Sequence, residues 1–178
     1  MNVDEIIKQV TRDVDNSPEN GDIVAWINRA LADLTPIAKK EKMLLLDATN
    51  QIPIDCFEIK HIFVNDRFLN KLDIEDNNGI GYKVWGNAIT LQNITGPIQL
   101  YYYRTLAKVF YNTDIPEIEE PYHDLLVYYA IGHLQFKDED YEDRADMLQQ
   151  RYMPRKAEYK AFIDRRNKKS SVKSKVKW

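Results

Sequence analysis

The hydrophobic and polar positions divide the chain into three stretches of different period. The first is helical. Ile6, Ile7, Val10 and Val14 recur at helical spacing, which predicts a helix over residues 3–14 with one apolar face. Asp4 and Glu5 fall in its first turn, where the helix dipole favours acids. The run Asp15-Asn16-Ser17-Pro18-Glu19-Asn20-Gly21 is turn chemistry throughout. Asp22 then stands where it can cap a second helix, over 22–40. Its stripe is Ile23, Trp26, Ile27, Ala30, Leu31 and Leu34, with Arg29 and Asp33 on the other side. Pro36 predicts a kink or an end. Two such helices joined by a turn cannot bury their stripes alone.

The middle of the chain changes period. Leu44-Leu45-Leu46 leads to Ile52-Pro53-Ile54-Asp55, and Ile59, His61 and Phe63 then alternate with Lys60, Ile62 and Val64, as in a strand. Asn65-Asp66 is a turn signal, and the acidic, Asn-rich run 73–81 reads as a loop. Tyr82 to Trp85 and Ala88 to Leu91 flank Gly86-Asn87, the pattern of a tight hairpin. A further turn at 93–96 leads into Ile98-Gln99-Leu100-Tyr101-Tyr102-Tyr103, rich in strand formers. These segments predict an antiparallel β-meander over 52–103.

Helical period returns with Glu119-Glu120-Pro121, a helix-entry signature. Leu125, Leu126, Tyr128, Tyr129, Leu134 and Phe136 predict a strongly apolar, central helix over 121–137. Ala145, Leu148, Tyr152, Ala157 and Phe162 predict a last helix over 141–166, kinked or split at Pro154. The fold class expected is α+β: a bundle of about four helices with an inserted antiparallel β-meander and a flexible basic C-terminal tail. The expected core includes Trp26, Ile27, Leu31, Leu125, Tyr129 and Leu148. Residues 1–166 form one expected domain and 167–178 the tail.

Composition adds a boundary and an asymmetry. At 178 residues the chain is long enough to bury a core without disulfides. No apolar run approaches the roughly 18–20 residues that span a bilayer, so no membrane role is expected. The acidic start, MNVDEIIKQV, is unlike a signal peptide, so synthesis in the cytosol is expected. The net charge is −3, but seven of the 25 basic residues are Arg165, Arg166, Lys168, Lys169, Lys173, Lys175 and Lys177, in a segment without acids that ends at Trp178. The remainder carries 18 basic against 28 acidic residues, a net of −10.

The sequence carries no recognisable catalytic or metal-site motif. His61, His123 and His133 are not at metal-ligand spacing, and Cys56 is the only cysteine. The acids Asp138, Glu139, Asp140, Glu142 and Asp143 sit at a helix start, where dipole and capping roles explain them. Setting Gly79 at the sixth position of a calcium loop puts Ile74 first and Trp85 twelfth, and neither can ligate through a carboxylate. Gly79-Ile80-Gly81 lacks the third glycine of a dinucleotide loop. No enzyme, metal or cofactor is therefore expected. The basic segment has three open readings: a solvated end, a dock for an acidic protein surface, and a contact for nucleic-acid phosphates. Trp178 favours docking, because a terminal indole is apolar area a merely solubilising tail does not need.

The ordered set of motifs resembles a family. It comprises Ile6-Ile7 with Val10; Asp22-Ile23-Val24-Ala25-Trp26-Ile27-Asn28-Arg29-Ala30-Leu31; Ile52-Pro53-Ile54-Asp55; Val64-Asn65-Asp66-Arg67-Phe68-Leu69; and Ile115 to Ala130, with Pro121-Tyr122-His123-Asp124-Leu125-Leu126 at its centre. The pattern, over about residues 3–166, resembles the head-to-tail connector (adaptor, or head-completion) proteins of tailed bacteriophages. The resemblance implies a virion structural protein, assembled in the host cytoplasm. Its copies would form a ring, typically a dodecamer, under the portal protein. That ring would extend the DNA channel, without sequence-specific DNA binding, and would dock other tail or head-completion proteins. It also implies that Arg165, Arg166, Lys168, Lys169, Lys173, Lys175, Lys177 and Trp178 reach the portal. The rival expectation is a nucleic-acid-binding or regulatory protein using the same basic segment.

Overall fold

The computed structural model describes residues 1–14, 18–46, 49–134 and 147–173, the side chains of 169–173 excepted. The chain divides into two compact units, one of Met1–Ala38 with Leu106–Trp178, the other of Lys39–Thr105. The α+β class and the antiparallel sheets agree with the sequence reading.

The first unit is helical. Helix α1 (Val3–Arg12) opens with a capping box: Asn2 Oδ1 accepts from the Glu5 N–H at 2.9 Å, and the Asn2 N–H donates to Glu5 Oε2 at 3.0 Å. Two further N–H groups of its first turn, on Val3 and Asp4, donate to the carbonyls of Asp114 and Asn112, so the orphan donors of the helix start are met by a loop. Val3, Ile6, Ile7 and Val10 are buried. Helix α2 (Asn20–Ala38) buries Ile23, Ile27, Ala30, Leu31 and Leu34. Pro36 stands two residues from its end, where its missing N–H leaves the Ala32 carbonyl without a ladder bond. Beside it, the buried Thr35 hydroxyl donates to Leu31 O at 3.0 Å and accepts from the Leu106 N–H at 3.3 Å.

A 3-10 turn (Glu120–Tyr122) leads into α3 (Asp124–Leu134), which buries residues almost all round and is the central helix of the unit. The described chain resumes in a π-helical turn (Met147–Tyr152), followed by α4 (Met153–Lys173). Pro154, the second residue of α4, has no N–H to give to an α ladder, and the wider π turn lies just before it. Helix α4 runs on past Arg166 to Lys173. The acids Asp138 to Asp143, and Phe136 and Ala145, lie outside the described residues.

The second unit holds a four-stranded antiparallel sheet and a two-stranded one. Its strands are β1 (Lys40–Leu45), β2 (Cys56–Val64), β3 (Arg67–Leu69), β4 (Gly81–Trp85), β5 (Ala88–Gln92) and β6 (Ile98–Arg104). The larger sheet has the order β1-β6-β2-β3, and β4-β5 pair separately. The order is thus not sequential: β6 lies between β1 and β2, and β1 begins ahead of residue 52. Lys40 stands opposite Arg104 on the β1–β6 rung. The β2–β3 turn places Asn65 and Asp66 both at positive φ, 50° and 60°, as a twisted two-residue hairpin requires. Gly86, φ 57°, makes the β4–β5 turn. Ile62, Val64, Leu69, Ile98, Leu100 and Tyr102 form the core of this unit with Tyr82 and Ile89 of the hairpin.

Candidate functional site

Two surfaces stand out, one on each unit. On the β unit, strand alternation sends Ile62, Leu100 and Tyr102 into the core and the residues between them to the opposite face. Register lines that face up in rows. Met43 stands beside Tyr101 and Tyr101 beside His61; Leu45 stands beside Gln99, Gln99 beside Phe63 and Phe63 beside Phe68. His61, Phe63, Phe68 and Tyr101 form one cluster of rings 5.6–6.4 Å apart, crossed at 67–72°, the edge-to-face arrangement that aromatic pairs prefer. Met43, Leu45 and Phe68 are about half exposed, at 55%, 57% and 49%. Two bulges in β2 leave Phe57 and Lys60 without a register partner, and Phe57 is also half exposed. Lys60 pairs with Glu41 at 2.5 Å and lies 5.6 Å from the Tyr103 ring. A face this apolar, rimmed by an ion pair, has the character of a protein-contact surface.

On the helical unit, the starts of α3 and α4 are tied by charge. Arg155 donates to Asp124 Oδ2 at 2.9 Å, to Glu158 Oε2 at 2.7 Å and to Pro121 O at 2.6 Å, and covers the Tyr122 ring at 4.6 Å. Glu119 accepts from the Tyr159 hydroxyl at 2.7 Å and from Arg166. Burial, reinforced by that hydrogen bond, pushes the Tyr159 phenol far above its ordinary range. Tyr152 is treated alike by burial and by its hydrogen bond to Asp33, which also pairs with Lys156. Tyr122, Phe162, Arg165 and Arg166 line an open groove of about 380 Å³.

Of the basic residues singled out in the sequence, Arg165 and Arg166 therefore share this groove, and Lys168 is exposed further along the same helix. Lys169 and Lys173 belong to α4, their side chains not described. Lys175, Lys177 and Trp178 lie outside the described residues. Of the expected core, Ile27, Leu31 and Leu125 are buried, while Trp26, Tyr129 and Leu148 are partly buried against them. Trp26 stacks on His133 at 4.4 Å, beneath Arg29.

The remaining histidine is structural. His123 is buried, with the Met1 amino group 2.8 Å from Nδ1 and the Ile118 carbonyl 3.0 Å from Nε2. The ammonium donates and the carbonyl accepts, which fixes the proton on Nε2. Among the described residues no group of three or more His, Cys, Asp or Glu side chains could hold a metal ion. None of the described helices is long and apolar enough to cross a membrane.

The aromatic sheet face escaped the sequence reading, although its signal was present. Strand β2 carries rings at His61 and Phe63 on one face and aliphatic Ile62 and Val64 on the other, and a strand with large side chains on both faces has two surfaces to pack. The groove left no such signal, since Tyr122 and Phe162 are distant in sequence.

A search of curated proteins gave no match. The match to a family is extensive: residues 1–175 fit the family described as SU10 adaptor protein, a span that takes in both units and both surfaces. The chain belongs to the SU10 adaptor protein family, a family of phage head-to-tail adaptors.

Proposed function

We propose that this chain joins the portal to the tail: its copies close into a ring under the portal, extend the DNA channel and present a docking surface to the tail. Membership of a structural phage family makes it a component that meets other head and tail proteins. The finer reading is carried by one observation, the aromatic sheet face built on His61, Phe63, Phe68 and Tyr101. Apolar surface of this kind costs about 25 cal/mol per Å² to leave in water, and assembly removes it. A ring subunit needs heterologous contacts that close by rotation, and an aromatic face rimmed by charge suits one half of such a contact. In this reading the basic segment, Arg165 to Trp178, reaches the portal. The acidic remainder of the chain, at −10, would let DNA pass without adhering, because like charges prevent tight phosphate contacts.

Mixing the chain with its portal protein and imaging the product by electron microscopy tests this reading. A ring complex on the portal is expected. A chain that stays monomeric and ignores the portal overturns it.

A further inference from the structure

We infer that the groove between Tyr122 and α4 is a receptor for a protein segment presenting one carboxylate beside an apolar or aromatic side chain. The inference rests on the reading of the basic segment as a docking element, and it names the chemistry that element recognises. The groove, at about 380 Å³, is in the size range of small ligand sites. One wall is aromatic: the Tyr122 ring lies 5.3 Å from Phe162 and 4.9 Å from Tyr159. Arg155 packs on Tyr122 and the half-exposed Phe162 borders the opening, so the wall is stiff and its apolar area is accessible.

Of the three guanidiniums at this wall, two are matched by carboxylates of the described residues. Arg155 is occupied by Asp124, Glu158 and the Pro121 carbonyl. Arg166 is held by Glu119, which is itself largely buried and bound by Tyr159. Arg165 is exposed in the groove lining and, among the described residues, pairs with no carboxylate. One guanidinium beside an aromatic wall presents a fork of donors suited to a single carboxylate, with room for an apolar side chain next to it. A nucleic-acid backbone is a poorer fit. Its regularly spaced charges would run past Glu119, Glu120, Asp124 and Glu158, which belong to the elements that form the groove or brace its wall.

The test uses the full chain and a minimal probe, 3-phenylpropionate, followed by saturation-transfer NMR. The amide, 3-phenylpropanamide, is the neutral control and inorganic phosphate the rival anion. The acid is expected to bind at least about tenfold more tightly than the amide, as one charge-assisted contact implies. Arg165→Gln and Phe162→Leu should each weaken the acid by a similar factor, and Arg151→Gln, outside the groove, should leave it unchanged. Circular dichroism checks that each variant is folded; Arg165 is exposed and its replacement disturbs no pair seen here.

No binding of the acid overturns the inference. Equal binding of acid and amide does so too, as does a phosphate affinity matching the acid's and indifferent to Phe162→Leu. A chain that captures the portal but not the probe sinks the groove alone, whereas one that binds the probe and ignores the portal sinks only the connector reading.

Discussion

The hydroxyl of Tyr102, in the core of the β unit, donates to Asp55 Oδ1 at 2.9 Å, while Lys42 reaches the other carboxylate oxygen at the same distance. Burial works against the charge on Asp55, but these two donors outweigh it and hold the carboxyl below its usual range. The folded chain therefore keeps Asp55 ionised to lower pH than the unfolded chain does. Its contribution is complete above about pH 4 and fades as pH falls through the depressed native value. Asp55→Asn should cost about 1–2 kcal/mol at neutral pH. It should also flatten the acid side of the stability curve, as read from urea unfolding at several pH values.

The alkaline side has a different origin. Tyr152 and Tyr159 are both kept protonated by burial and by carboxylates that accept their hydrogen bonds. A phenol whose native value is raised stabilises the fold below its unfolded value, about 10, and loses that contribution as pH climbs above it. Each should therefore subtract about 1.4 kcal/mol per pH unit above pH 10. In a spectrophotometric titration these two phenols should ionise only as the helical unit unfolds. Tyr152→Phe with Tyr159→Phe should shift that transition to higher pH.

Gly132 is a packing glycine. A Cβ added there would lie 2.6 Å from Leu148 Cγ and Cδ2, too close for any real contact. Gly132→Ala should raise helix propensity yet destabilise the protein by roughly 1–3 kcal/mol through overpacking. Leu148→Ala placed on top should recover part of that loss, a coupling that a double-mutant cycle in denaturant will measure.

The aromatic face separates stability from assembly. Phe68→Ser removes a half-exposed ring with two edge-to-face neighbours, so the cost to folding should be about 0.5–1.5 kcal/mol. If the face is a subunit or tail contact, the same change should weaken association at least about tenfold. Mass photometry of the variant with portal protein reads the association, and thermal melting reads the fold.

Much of this architecture is written in local pattern. The stripe of Ile23, Ile27, Ala30, Leu31 and Leu34, the turn residues at Asn65-Asp66 and Gly86-Asn87, and the Pro121 entry are rules of period and backbone freedom that need no tertiary information. Strand β1 is different. Lys40-Glu41-Lys42-Met43-Leu44-Leu45 is made of residues that also favour helix, and it becomes a strand because β6, far along the chain, offers an edge to pair with. The placement of β6 between β1 and β2 is likewise a long-range choice. At the other end, Arg165 to Lys173 combines high charge with a single apolar residue, Val172, which reads as a tail, with arginines and lysines that favour helix and extend α4. The groove needed a third kind of information: Phe162 meets Tyr122 only once the bundle is packed.

The rung that sets Lys40 opposite Arg104 means that the β unit is entered and left at neighbouring points. Its ends stay together whatever happens to the loops and faces between them. Such a lobe can be lengthened, recoloured with new side chains or traded for another while the chain still enters and leaves it at adjacent points.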